Sequence, residues 1–306
     1  MHVLENSDCD KNTENVITGN LDDKELTHLT LTRMADEDYY NGIEGLNTQQ
    51  KTAFELVQSY FKTLADFNDG LINTKPEPVH IYISGPGGTG KSHLIRMIRE
   101  MIIRSSLKNS TSQSPAVVVV APTGIAAYNI EGITIHRALN LPVQHGSCPK
   151  YVPLKGERLS AMRKQWVYTN TIIIDEISIV SYETFVMIHQ RLNDIKNVSC
   201  DSFFGGLNVI ALGDLYQLPP VPPGHFVSSG KSQLNTHPWK DLFTMLELEQ
   251  NMRQKDDIQY GNLLLRIRTS THTNDDSSIL RSRIKSPIEC NLELKCFTSV
   301  SNCKEM

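Results

Sequence analysis

The sequence predicts an α/β domain in which a parallel sheet is covered by helices on both faces. Apolar, β-branched runs recur at residues 79–84, 117–120, 172–174 and 207–212, each ending in a turn signal and followed by helix-compatible sequence. That alternation belongs to parallel strands joined by crossover helices. The first run enters a glycine-rich turn and then a helix with apolar residues at Leu94, Ile95, Ile98, Met101 and Ile102, so strand, loop and helix follow directly on one another. The third run ends in the acidic pair Asp175-Glu176.

Taken in order, residues 1–45 read as an acidic, disordered leader, rich in Asp, Glu, Asn and Thr with little apolar periodicity. Order is expected from Leu46. Asn47 or Thr48 can cap a helix whose apolar positions Ala53, Val57, Tyr60, Phe61 and Leu64 share one face. Pro76 and Pro78 mark the loop before the first strand. A Ser/Thr/Asn-rich loop fills 105–115, and a Pro/Gly-rich excursion fills 141–156, with basic residues nearby at Lys150, Lys155, Arg158, Arg163 and Lys164. No internal repeat is visible.

The net charge of -4 hides an asymmetry: residues 1–50 hold 11 acids against 3 bases, leaving a body with 23 acids and 27 bases. The body is therefore mildly basic behind an acidic head. Six cysteines (Cys9, Cys148, Cys200, Cys290, Cys296, Cys303) have no C-x-x-C pair and no histidine at zinc-finger spacing, so they read as free thiols. No apolar run approaches the roughly 20 residues of a membrane span. The first ten residues lack the basic and apolar stretches of a secretory signal, so an intracellular protein with no membrane partner is expected.

Gly85-Pro86-Gly87-Gly88-Thr89-Gly90-Lys91-Ser92 fits G-x-x-x-x-G-K-[ST] between a strand and a helix. Its backbone N–H groups and the helix N-terminus suit phosphates, Lys91 would neutralise the terminal ones, and the Ser92 hydroxyl would reach Mg2+. Asp175 would hold the same Mg2+ through water, and Glu176 would act as general base on the attacking water. ATP is the expected substrate.

Three further segments narrow the class. They are Ala121-Pro122-Thr123-Gly124-Ile125-Ala126-Ala127, then Gly132-Ile133-Thr134-Ile135-His136-Arg137, then Gly213-Asp214-Leu215-Tyr216-Gln217-Leu218-Pro219-Pro220-Val221. In this order the chain resembles the Pif-one (petite integration frequency) family of ATP-dependent DNA helicases in superfamily one, over residues 46–283. A generic AAA-type ATPase would share the phosphate loop and acidic pair but not 213–221. The resemblance implies a RecA-like P-loop domain and makes Gln50 the adenine-reading glutamine. It implies that Gln217 senses the γ-phosphate or orients water, and that Pro122, Thr123, Thr134 and His136 line a path for single-stranded DNA. Outside the family, Gln50 would be a surface helix residue, Thr123 a helix cap and His136 a structural histidine.

Leu246-Glu247-Leu248-Glu249-Gln250-Asn251-Met252-Arg253-Gln254 resembles the start of the family's second motor domain, with Arg253 as the arginine that reaches the γ-phosphate. The expected layout is a leader over 1–45, a first motor domain over 46–250, and an incomplete start of the second over 251–306. The late motifs of the second domain are not found, so a C-terminally truncated helicase is expected. Its partners would be single-stranded and forked DNA, with repair, recombination and telomere maintenance as processes and the nucleus and mitochondrion as locations. A nucleotide-gated DNA-binding module with little unwinding activity is the alternative.

Overall fold

The computed structural model describes residues 33–106, 114–142, 151–198, 202–220, 238–254 and 257–283. The chain forms two compact units, Met1–Lys255 and Asp256–Met306. In the first, six parallel strands, β1 (His80–Ser84), β2 (Val117–Ala121), β3 (Ile133–Thr134), β4 (Thr171–Ile174), β5 (Asn208–Gly213) and β6 (Thr244–Glu247), lie in the order β3-β2-β4-β5-β1-β6. The four runs read from the sequence are β1, β2, β4 and β5. They occupy the middle of the sheet, where both faces are buried and an unbroken apolar run is required.

Side chains alternate across the sheet. Val118, Val120, Ile172, Ile174, Val209 and Ala211 join one apolar cluster, and Val119, Ile173, Ile210 and Leu212 join the other. The second face is covered by α1 (Asp36–Glu44), α2 (Thr48–Asn68), α3 (Lys91–Ser106) and α4 (Gly124–Asn129). The first is covered by α5 (Ile135–Ala138), α6 (Gly156–Gln165), α7 (Tyr182–Lys196) and α8 (Pro238–Leu242). Asn47 does cap α2: its side chain accepts from Gln50 N while the Gln50 side chain accepts from Asn47 N, a reciprocal capping box.

Order begins before Leu46. The stretch expected to be a disordered leader up to residue 45 ends in helix α1, which is clamped to α3. Arg104 reaches Asp36 at 2.6 Å, Glu100 at 2.8 Å and the Met34 carbonyl at 2.9 Å, and its guanidinium lies 4.3 Å from the buried Tyr39 ring. Tyr39 and Ile43 give only one i, i+4 pair among carboxylates and polar residues, too short an apolar period to read, which is why the sequence concealed it. Residues 1–32, all six cysteines, Lys150 and Val221 lie outside the described residues.

At the far end of β1, His80 packs between Phe204 and Phe243, with ring centroids 5.4 and 5.6 Å away, and burial pushes its imidazole down to about 4. The second unit holds α9 (Ile258–Arg268) and α10 (Asn274–Ser282). Arg266 grips the buried Asp276 with two bonds of 2.6 and 2.7 Å, and the guanidinium holds that carboxyl well below the usual range. Among the described residues no helix is long and apolar enough to cross a membrane.

Candidate functional site

Three neighbouring strands end side by side and bring the candidate residues together. β1 carries the phosphate loop, β5 beside it carries Gln217, and β4 beside that carries Asp175 and Glu176. The loop is tied to β5 at its root, where Gly85 N donates to the Gly213 carbonyl at 3.1 Å. Gly88 and Gly90 have φ of +90 and +78, the left-handed backbone that glycine adopts without strain. A side chain at Gly90 would also collide with the Gln50 amide. The Thr89 hydroxyl donates to the Pro86 carbonyl at 2.9 Å, and Lys91 Nζ donates to the carbonyls of Gly85 at 2.6 Å and Pro86 at 3.2 Å.

Asp175 is 5% exposed. Burial pushes its carboxyl up to about 6, and the neighbouring Glu176 charge adds to this, while the Glu176 N–H and the Lys91 charge oppose it. Glu176 sits in the left-handed region at φ 51, ψ 43, with its N–H bonded to Asp175 Oδ1 at 2.9 Å. A glutamate held there is strained. No sequence signal announces that backbone conformation. The backbone at Gln217 is held by buried Asp214, whose carbonyl accepts from Gln217 N at 2.9 Å and whose carboxylate accepts from Tyr216 N at 3.1 Å. Ser92, Thr123, Asp175, Glu176 and Gln217 line one open cleft of about 770 Å³. Ser92 and Asp175 are the hard oxygen donors that could hold a divalent cation beside a phosphate.

Pro122 and Thr123 follow β2, while Thr134 ends β3 and His136 follows it. The pairing of Ala121 with Thr134 brings the two groups to one edge of the sheet. Thr123 and Thr134 both cap helices, accepting from Ala126 N at 3.2 Å and Arg137 N at 3.4 Å. The structural reading of Thr123 thus holds, and its exposure leaves the outer face open as well. His136 is half-buried, and burial lowers its pKa, favouring the neutral ring.

Gln50 is 2% exposed, so it is not a surface residue. Besides the capping box, its Nε2 donates to the Thr89 carbonyl at 2.9 Å, which ties the head of α2 to the phosphate loop. Arg253 is exposed and lies in the first unit, on a strap of residues 248–254 that follows β6. Leu248 N bonds the Ser84 carbonyl at 2.7 Å and Met252 N bonds the Gly88 carbonyl at 2.8 Å, so the strap lies against the loop. Gln49 and Asn251, which the sequence did not single out, hold that strap.

The family model for PIF1-like helicases matches residues 46–275, more than half of the 306. The chain belongs to the PIF1-like helicase family. Among curated proteins, this PIF1-like chain is 34% identical to the ATP-dependent DNA helicase PIF1 of Emericella nidulans over 145 residues, 47% of the chain and 18% of that protein. It is 31% identical to the Candida albicans PIF1 over 225 residues, 69% of the chain and 23% of the relative. The solved Candida albicans Pif1 helicase superposes with a TM-score of 0.58 at 25% identity, covering 83% of this chain and 49% of that one. A Bacteroides Pif1 in complex with ADP-AlF3 and ssDNA gives a TM-score of 0.55 at 22% identity, over 85% and 55%, which bears on the fold alone. The PIF1-like chain thus spans about half of these solved chains and less than a quarter of the two curated relatives.

Proposed function

We propose that this chain is the first motor domain of an ATP-dependent DNA helicase, coupling ATP hydrolysis to movement along single-stranded DNA and to unwinding of forked duplexes. One observation carries the reading: the phosphate loop, Gln217 and the pair Asp175-Glu176 stand on three adjacent parallel strands, in one cleft with Thr123. The relatives cited above are named ATP-dependent DNA helicases, and the solved Bacteroides protein holds ADP-AlF3 and ssDNA.

Loop amides and Lys91 bind the phosphates, drawing Lys91 Nζ from the Gly85 and Pro86 carbonyls that hold it. Mg2+ arriving with the triphosphate supplies positive charge at its terminal oxygens, and Ser92 and Asp175 are the residues that would hold it. A buried carboxyl lifted to about 6 fits that ion, because the added charge favours its ionised form. Glu176 accepts the proton of the attacking water, Gln217 orients that water, and Arg253 offsets charge at the γ-phosphate. Gln50 reads adenine with the N–H and lone pair that its two bonds leave over. Pro122, Thr123, Thr134 and His136 contact the strand through backbone, hydroxyl and imidazole groups. Residence in the nucleus and mitochondrion, and work in repair, recombination and telomere maintenance, complete the proposal by family analogy.

The test is steady-state ATP hydrolysis with and without single-stranded DNA, in the parent and in Lys91→Ala and Glu176→Gln. DNA-stimulated turnover that both substitutions abolish is expected. Turnover that survives both would mean that this cleft is not the catalytic site.

A further inference from the structure

The strap after β6 is anchored beside the phosphate site by side chains from the head of α2, about 200 residues earlier in the chain: Asn47 Nδ2 reaches Met252 Sδ at 3.5 Å, and Gln49 makes the larger set of bonds. Gln49 Oε1 accepts from Glu249 N at 2.8 Å and from Gln250 N at 3.3 Å, and Gln49 Nε2 donates to Glu249 Oε2 at 3.2 Å. Two residues further on, Asn251 Oδ1 accepts from Arg253 N at 2.9 Å and Gln254 N at 3.0 Å, folding the strap into a turn. That turn rests on the tip of the phosphate loop. A Cβ placed on Gly88 would lie 2.7 Å from Asn251 Oδ1 and 3.1 Å from the Arg253 Cβ.

We infer that Gln49 is a positioning residue for Arg253. Its amide fixes the backbone at 249 and 250, this sets where the Asn251 turn lands on Gly88, and the turn sets the origin of the Arg253 side chain. Residue 49 neighbours Gln50 in the same helical turn, and Gln50 bonds to the loop itself at Thr89. The head of α2 therefore grips both sides of the phosphate loop, the loop with one glutamine and the strap above it with the other. Gln49 touches no phosphate. It acts on the γ-phosphate through Arg253, so losing it penalises a triphosphate more than a diphosphate. The inference rests on the reading of residues 85–92 as the ATP site.

The test titrates the whole chain, with magnesium, against fluorescent N-methylanthraniloyl derivatives of ADP and of a non-hydrolysable ATP analogue. In Gln49→Ala, triphosphate affinity is expected to fall about tenfold, as for loss of one charge-assisted contact, while ADP affinity stays within about twofold. Arg253→Ala should give the same pattern. Gln49→Glu keeps the acceptor but sets a like charge against Glu249, and it should also weaken the triphosphate. The double variant Gln49→Glu/Glu249→Gln exchanges donor and acceptor and should restore the parent's ratio. Equal losses for both nucleotides, no loss, or no rescue in the double variant would overturn the inference. A parent chain that binds neither nucleotide, with Lys91→Ala no different, would instead overturn the ATP-site reading and this inference with it.

Discussion

Replacing Asp175 by Asn should stabilise the nucleotide-free protein while abolishing its use of magnesium nucleotide. Asn keeps the shape and the oxygen that accepts from Glu176 N, and it removes a charge from a position that is 5% exposed. The Asp175 carboxyl is raised from 3.8 to about 6, so between those values the unfolded chain has released a proton that the folded one retains. Stability from this group is therefore fully present below 3.8 and is lost as pH rises through about 6. At roughly 1.4 kcal/mol per pH step, the gap amounts to ~3 kcal/mol at pH 8 and about half of that at pH 5. Urea denaturation of parent and variant at both pH values measures it directly. The Asn variant should have the higher midpoint at pH 8, with the advantage shrinking at pH 5, and magnesium nucleotide should raise the midpoint of the parent alone. A variant no more stable than the parent at pH 8, or an advantage indifferent to pH, would refute the reasoning.

Two more outcomes follow from the same geometry. Gly90→Ala forces a side chain into left-handed backbone and against the Gln50 amide, so it should cost on the order of 1–2 kcal/mol and weaken nucleotide binding. A variant matching the parent in urea midpoint and nucleotide titration would contradict this. His80 is depressed from 6.5 to about 4, so its contribution is present above 6.5 and is lost as pH falls through 4. Between pH 7 and pH 4.5 the parent should lose roughly 2–3 kcal/mol more than His80→Phe, and equal losses would mean that this imidazole is not the titrating group.

The central strands and the phosphate loop were legible because their signals are local: apolar runs, a fixed glycine and lysine spacing, an acidic pair at a strand end. What the sequence hid depends on distant partners. β6 is an edge strand with mostly exposed side chains, so it carries no apolar run, and β3 is only two residues long. α1 rests on a single buried tyrosine and on Asp36, whose arginine partner Arg104 lies in α3. Glu176 reads as half of an acidic pair, yet its left-handed backbone is dictated by the turn into Ile177. Gln49 and Gln50 are adjacent and chemically alike. Only the fold shows that one faces the loop carbonyl at Thr89 and the other a backbone 200 residues away.

The place of β6 also governs how the domain takes mechanical tension. The chain leaves the first unit through β6 and its strap, so a pull from beyond residue 255 meets the Met252–Gly88 bond and then runs along β6 itself. β6 lies parallel to β1, in register from Ile81 beside Thr244 to Ser84 beside Glu247. A pull along the strand axis loads the bridging hydrogen bonds in shear, so they share the strain instead of opening one after another. The strand that receives this strain is β1, which runs straight into the phosphate loop. A tug on the distal chain and a change at the glycine-rich loop therefore meet in one short strand, whose Ile81, Tyr82 and Ile83 are themselves buried in the core.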